Sequence, residues 1–363
     1  MPQLTRRQFL ASGLAALAMP HFRLLGARTP SSPRKLGVAL LGLGGYSKGL
    51  LAPALQHTQF CELRGIVTGS PEKIPQWQKQ YNIADKNVYS YDDLPNIANN
   101  SDIDIIYVVT PTSLHEKYSV IAAQAGKHVW CEKPMAMNPR ECQNIMDTCK
   151  QNKVKLAIGY RMQHEPNTRR LASLKNTMPF GAFTRIASFA GYAGNGLPAN
   201  NWRMQKEMGG GALYDMGVYP INGVRFITGM EPVSVTGYHE KSHPDTFTEV
   251  DETTYFDMQF KNGLVAQCGT SVVKSFNRLE VQCERGVYSL QPMQSYSGVR
   301  GKISDGTVLS PITGMQQTLQ MDNDALAILG KGPALVSGEE GLKDIQIIQA
   351  IFDSAKTGKT VVI

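Results

Sequence analysis

Between residues 36 and 131 the chain alternates short apolar runs with stretches of helical spacing. Leu36–Leu41, Cys61–Val67, 104–109 and His128–Cys131 have few polar interruptions, the pattern of strands buried on both faces of a parallel sheet. Between them, 49–57, 75–81 and 115–125 read as helices, the last closed by Gly126. Strand then helix, repeated, predicts an α/β domain over 35–158, a doubly wound Rossmann sheet. Past Tyr160 the rhythm changes. The segments 183–192, 233–239, Thr253–Phe260, 264–273 and 279–283 are longer strands with few helices between them. They predict an α+β domain over 159–363, built on an open, mostly antiparallel sheet. Near its end, Ser337-Gly338-Glu339-Glu340 reads as a capping box opening a helix over 338–356. Leu342, Ile345, Ile348 and Phe352 share one face of that helix, which is expected to pack back on the core.

Candidate chemistry gathers at the strand ends. Gly42-Leu43-Gly44-Gly45-Tyr46-Ser47 follows the first strand and opens a helix, the setting in which glycines let a backbone approach a pyrophosphate. Ser47 stands where that pattern usually has glycine or alanine. The second strand runs into Thr68-Gly69-Ser70-Pro71-Glu72-Lys73, with no carboxylate to read a ribose 2′-hydroxyl. Thr68, Ser70 and Lys73 suit a 2′-phosphate instead, so NADP is expected ahead of NAD, although Ser70 also fits as a helix cap. Thr110, Pro111 and His115 follow the third run, and Glu132 and Lys133 the fourth, all along the crevice outside the strand C-termini, where they are expected to contact the cofactor. Lys133 there can bond a substrate hydroxyl and stabilise developing alkoxide charge. Asp215 and Tyr219, four apart, share a helix face after Gly209-Gly210-Gly211, read as a flexible lead-in. Tyr219 can move the hydroxyl proton, tuned by Asp215 or Lys133. A nicotinamide oxidoreductase is the reading these positions favour. His239-Glu240-Lys241-Ser242-His243 matches a zinc-protease string, but it ends a strand-like segment and precedes Pro244, so no metal is expected.

Charge and composition narrow the partners. At 363 residues and 42% hydrophobic, the chain can bury a large core. Its net charge of +7 falls to about +4 once Arg6, Arg7 and Arg23 are set aside, because residues 1–27 carry no acid. That mild excess suits an anionic cofactor and does not suggest nucleic acid. Arg6-Arg7 before the apolar stretch 11–19 reads as a twin-arginine export signal, cleaved near Ala27. A periplasmic protein without a stable membrane anchor is therefore expected, with 28–34 as a polar, proline-containing arm. The six cysteines read as mostly buried free thiols; Cys142 and Cys149, seven apart on one helix, lie about 10 Å apart along its axis, too far to bridge.

At these residues the chain resembles the glucose–fructose oxidoreductase family, within the Gfo/Idh/MocA superfamily, from Lys35 to Ile363. The marks are the glycine turn, Thr68 to Lys73, Glu132-Lys133-Pro134, Gly159-Tyr160-Arg161, Asn201-Trp202-Arg203, the stretch Gly209 to Tyr219, and Gly338-Glu339-Glu340-Gly341. Most of the superfamily has histidine four residues after the aspartate; Tyr219 is as in the glucose–fructose branch. The resemblance implies catalytic roles for Lys133, Asp215 and Tyr219. It also implies a sugar pocket lined by Tyr160, Arg161, Trp202 and Arg203, and a homodimer or homotetramer formed through the C-terminal sheet. The arm here is shorter than the one that branch uses. A tightly bound cofactor, reduced by one sugar and reoxidised by another, is the expectation. A sugar dehydrogenase with exchangeable NAD(P), an NAD-dependent glycoside-cleaving relative and a non-catalytic sugar-binding protein are the alternatives.

Overall fold

The computed structural model describes residues 34–363 apart from 195, 196 and 199. The export signal expected at 1–27, and all but the last residue of the arm at 28–34, lie outside the described residues.

The four apolar runs form β1 (Leu36–Leu41), β2 (Cys61–Val67), β4 (Ile105–Val108) and β5 (His128–Cys131) of a parallel sheet, and two short strands that the sequence pattern does not predict, β3 (Val88–Tyr89) and β6 (Leu156–Ile158), form its edges. Their order, β3-β2-β1-β4-β5-β6, reverses between β1 and β4. This doubly wound order opens a crevice beyond the strand C-termini at the reversal. The glycine turn leaves β1 there, Thr110 follows β4, and Glu132 and Lys133 follow β5.

Side chains alternate across this sheet. Val38 and Leu40 share one core with Ile66, Ile105, Tyr107 and Trp130, while Ala39 and Leu41 belong to the other. The first face is covered by α1 (Ala52–Leu55) and α2 (Ile74–Tyr81), the second by α3 (His115–Gln124) and α4 (Pro139–Gln151).

The second sheet has nine strands: β7 (Phe183–Gly191), β8 (Pro232–Glu240), β9 (Thr253–Phe260), β10 (Val265–Ser271), β11 (Asn277–Cys283), β12 (Gly286–Leu290), β13 (Gly301–Ile303), β14 (Val308–Leu309) and β15 (Val361–Val362). β7 and β10 pair in parallel, and every other neighbour is antiparallel. Helices α5 (Pro166–Ser173), α6 (Ala212–Asp215) and α7 (Val218–Thr228) precede β8. Two more, α8 (Gln316–Ile328) and α9 (Gly338–Thr357), follow β14.

The C-terminal half does not stay on its own sheet. Met321 and Ala325 of α8 pack into the core of Leu40, Ile66, Ile105 and Tyr107 on the parallel sheet. α9 packs on β8, α4 and β6, and residues 35–363 form one compact unit. Ser337 is the N-cap of α9, but its side chain makes no cap hydrogen bond, so the expected capping box is not formed. Glu340 turns instead to Arg225 at 3.1 Å and Lys343 at 3.4 Å. The competing cation is Arg225, nearly fully buried and also paired with Asp344 and Glu231. All six cysteines are free; five are buried and Cys283 is half-buried. His239 lies in β8 and bonds Thr254, while His243 lies beyond the strand and pairs with Glu252.

Candidate active site

The glycine turn is shaped by backbone constraints. Gly42 has φ +99°, and a Cβ there would lie 2.5 Å from the carbonyl oxygen of Val109. Ser47 Oγ donates to the Gly42 carbonyl at 2.5 Å, a tie that glycine or alanine at this position would lack. Beyond it the turn is open: a Cβ built on Gly44 or Gly45 meets nothing within 4 Å. A backbone-lined hollow at the start of a helix fits a pyrophosphate, which Gly42 to Tyr46 would hold. Lys73 reaches back to this turn, its Nζ 3.4 Å from the Leu43 carbonyl. Thr68 Oγ1 accepts the Ser70 N–H at 3.0 Å, and the Ser70 side chain makes no cap hydrogen bond. Thr68, Ser70 and Lys73 thus gather beside the turn, at the end of β2.

The methyl of Thr110 packs close to Gly42, and Pro111 follows it half-buried. His115, expected to meet the cofactor, does not face the crevice. Its Nδ1 lies 2.8 Å from the Pro134 carbonyl and its Nε2 2.9 Å from that of Thr110, so both ring nitrogens are engaged and the ring is buried. It fastens the end of β4 to the segment that carries Lys133. Glu132 also turns inward. Tyr107 donates to its Oε1 at 2.6 Å, Gln320 Nε2 of α8 donates to the Tyr107 oxygen at 2.7 Å, and burial raises the Glu132 carboxyl above its ordinary range. Glu132 Oε2 lies 3.3 Å from the Lys133 N–H. The two residues expected to bind cofactor therefore support the lysine from behind.

Lys133 is half-buried. Its ammonium donates to the backbone carbonyl of Asp215 at 3.0 Å and stands 4.7 Å from the centroid of the Tyr219 ring. Burial alone would lower its affinity for a proton, but the surrounding Tyr219 and Asp215 outweigh that and raise it, so Lys133 is a cation.

Asp215 and Tyr219 do not share one continuous helix as expected. α6 ends at Asp215, Met216 and Gly217 form a turn, and α7 starts at Val218. Across the turn Tyr219 N–H bonds Met216 rather than Asp215, and the Asp215 carbonyl accepts Lys133. The three glycines before α6 are not a flexible lead-in either. A Cβ on Gly210 would lie 2.4 Å from the Arg203 carbonyl, and one on Gly211, at φ +100°, 2.2 Å from Asp251 Oδ1. The backbone is close-packed there, and Asp251 Oδ2 accepts the Leu213 N–H at 2.8 Å to start α6.

The Asp215 carboxylate is held by Arg203 Nε and the Tyr192 hydroxyl, each at 3.1 Å. The Arg203 guanidinium lies 4.4 Å over the Trp202 ring, so these two residues border the carboxylate together. Tyr160 is not part of this pocket. Its ring is buried in the core and its hydroxyl is beside Asp344, in the network around Arg225. Arg161 does face the site, from behind. Its guanidinium is 5.4 Å from the Tyr219 ring, and it donates to the carbonyls of Gln294 and Ser295 and to Gln316.

Residues that the sequence reading did not single out complete the site. Tyr192 stands just past the end of β7, an end-of-strand position that could have drawn attention. Tyr107 sits in mid-strand, where an aromatic among isoleucines looks like ordinary core. Tyr296 and Gln320 come from a loop and a helix with no motif. Among the described residues no group of three or more His, Cys, Asp or Glu could hold a metal.

The comparison with known proteins agrees with this geometry. Residues 36–160 match the GFO/IDH/MocA oxidoreductase family, NAD-binding Rossmann fold, and residues 172–289 match the GFO/IDH/MocA C-terminal domain. The chain belongs to the Gfo/Idh/MocA family. It is an NAD(P)-dependent oxidoreductase. A solved structure of aldose-aldose oxidoreductase from Caulobacter crescentus, complexed with glycerol, is 33% identical; the match covers 91% of this chain and 100% of that one, with a TM-score of 0.87. D-xylose 1-dehydrogenase [NADP(+)] from Haloarcula marismortui is 26% identical over 347 residues, covering 89% of this chain and 92% of the relative. D-glucoside 3-dehydrogenase from Escherichia coli is 24% identical over 290 residues, covering 71% and 79%.

Proposed function

We propose that this member of the family is an exported, NADP-preferring enzyme that moves hydride between a sugar CH–OH group and a nicotinamide retained through successive turnovers. One observation carries the reading: a lysine cation, a tyrosine ring and a paired aspartate meet at the end of β5, beside an open glycine turn. A bound nicotinamide supplies the hydride acceptor or donor. The chain's own residues supply the rest. Tyr219, in the phenolate form that the Lys133 and Arg161 cations over its ring would favour, takes the proton of the sugar hydroxyl as that carbon becomes a carbonyl, and is left a neutral phenol. In the reverse direction Tyr219 returns the proton. Asp215 and Arg203 orient the sugar hydroxyls, and Asp215 Oδ2 accepts from both Arg203 and the Tyr192 hydroxyl.

The NADP preference rests on the absence of a carboxylate at Thr68 and on Lys73 beside the turn. Retention and exchange between two sugars is favoured by the likeness to an aldose-aldose oxidoreductase. Arg6-Arg7 and the apolar run after them support export. The second sheet leaves Val233, Tyr238, Val265 and Val287 exposed, which favours self-association there. The likeness to an NADP-dependent xylose dehydrogenase favours a second reading, with exchangeable cofactor.

Denaturing purified protein and identifying the released nucleotide tests retention. Incubation with one sugar and free NADP then separates the two readings. A retained cofactor gives a single equivalent of reduced nicotinamide until a second, reducible sugar is added, whereas repeated turnover establishes the dehydrogenase.

A further inference from the structure

The loop from β12 to β13 crosses the mouth of this site on a fixed backbone. Asn277 Oδ1 accepts the N–H groups of Met293 at 2.7 Å and Gln294 at 2.9 Å, and its Nδ2 bonds Ser295 Oγ at 3.0 Å. From the other side, Arg161 donates to the carbonyls of Gln294 and Ser295, and Gln316 donates to Ser295 at 3.0 Å. Three elements thus pin three consecutive residues, and the next residue is Tyr296.

Its ring is 48% exposed, yet it is not a stray surface aromatic. Its centroid lies 5.7 Å from that of Tyr46, in the glycine turn, and 4.5 Å from the Arg161 guanidinium carbon. Arg161 also faces Tyr219. Tyr296 therefore bridges the turn that would take the pyrophosphate and the Lys133–Tyr219 pair that would face the reacting carbon. A dinucleotide joining those two places must pass the Tyr46–Tyr296 pair. Aromatic rings suit such a passage, because they stack on a planar ring and attract a pyridinium cation.

We propose that Tyr296 is the closing ring of the nicotinamide subsite and sets the rate at which the cofactor leaves. This rests on the reading of the site as a nicotinamide-binding one. A pinned backbone makes the closure preorganised, so the ring needs no further ordering when the cofactor binds.

The test is a release rate. Cofactor-stripped protein is loaded with NADPH and chased with excess NADP, and the decay of nicotinamide fluorescence is followed by stopped flow. Tyr296→Ala is expected to release roughly tenfold faster or more, with an unchanged melting curve, and Tyr296→Phe to stay within about threefold of wild type because the ring is kept. Asn277→Ala, which frees the loop but leaves the ring, is expected to speed release as well. Equal rates for wild type and Tyr296→Ala overturn the proposal, as does a Phe variant as fast as the alanine one. A stripped wild type that takes up no NADPH removes the cofactor reading and the closure with it. If wild type itself releases quickly but the alanine variant is still tenfold faster, retention through turnover fails while the closing ring stands.

Discussion

Lys133 is held by the backbone carbonyl of Asp215, at 3.0 Å, while the carboxylate of the same residue is taken by Arg203 and Tyr192. The turn at Met216–Gly217 makes this arrangement available, since the helical bond that would normally occupy that carbonyl goes to Met216 instead. One residue thereby fixes a cation with its main chain and faces the site with its side chain.

Removing that cation tests its role. Lys133→Ala is expected to keep the fold and nucleotide binding and to lower kcat by roughly 10²-fold or more. Tyr219→Phe, which loses only a hydroxyl, is expected to fall by a similar factor. Steady-state kinetics on protein with wild-type melting and NADPH affinity decides; undiminished kcat in either variant removes that residue from the proton path.

The support behind the lysine is testable at Gly159. A Cβ there would lie 2.6 Å from Glu132 Oε1 and 3.1 Å from the Tyr107 hydroxyl. Gly159→Ala is expected to push the Glu132 carboxylate off its place and to lower kcat about tenfold or more through misplaced Lys133. NADPH affinity, which depends on the glycine turn, is expected to hold. A kcat equal to wild type would show that Glu132 does not position the lysine.

Cofactor choice is read at the end of β2. Thr68→Asp with Lys73→Ala is expected to shift preference from NADP toward NAD by more than about tenfold, since a charged contact is worth about 1.5–3 kcal/mol. The new carboxylate can still accept the Ser70 N–H, so the turn itself is kept. Affinities for both nucleotides at fixed salt settle the matter. A wild type that prefers NAD, or a double variant that keeps its NADP preference, contradicts this reading of the loop.

Stability is expected to fall in mild acid through His164. Burial, aided by Arg169, holds its imidazole neutral, with the pKa lowered to about 3, whereas the unfolded chain takes up that proton near 6.5. The contribution is complete above pH 6.5 and is lost as pH drops from there toward 3, at up to about 1.4 kcal/mol per pH unit. Denaturant melts between about pH 7 and 5 are expected to show a steeper loss for wild type than for His164→Gln. Parallel slopes would mean that the histidine is charged in the fold.

How much of this the sequence discloses depends on how local each signal is. The strands β1, β2, β4 and β5, and β7 to β11, are legible because each is one apolar or alternating run, whereas the edge strands β3 and β6, only two and three residues long, are too short to show a pattern. Lys133 and the glycine turn are legible because strand ends in such a sheet face a crevice, and Asp215 through its spacing from Tyr219 and the resemblance of the stretch around it. The break between α6 and α7 is not, because Met216 and Gly217 look like ordinary helix residues until Lys133 competes for the carbonyl. The capping box fails for a related reason: Arg225, more than 100 residues away, takes Glu340. His115, Glu132 and Tyr160 stand in the right motifs but point inward, and side-chain direction at a strand end is decided by partners distant in the chain. Gln320 and Tyr296 belong to no motif at all.

The position of α8 has a consequence for biosynthesis. Leu40, Ile66, Ile105 and Tyr107 are made early, yet the helix that seals them begins at Gln316. A nascent chain halted after β6 would have α1 and α2 on that face but would leave exposed the part of it that Met321 and Ala325 cover. The nucleotide-binding half is therefore completed only after nearly the whole polypeptide has left the ribosome. The order of synthesis itself delays assembly of a competent pocket to the last stage.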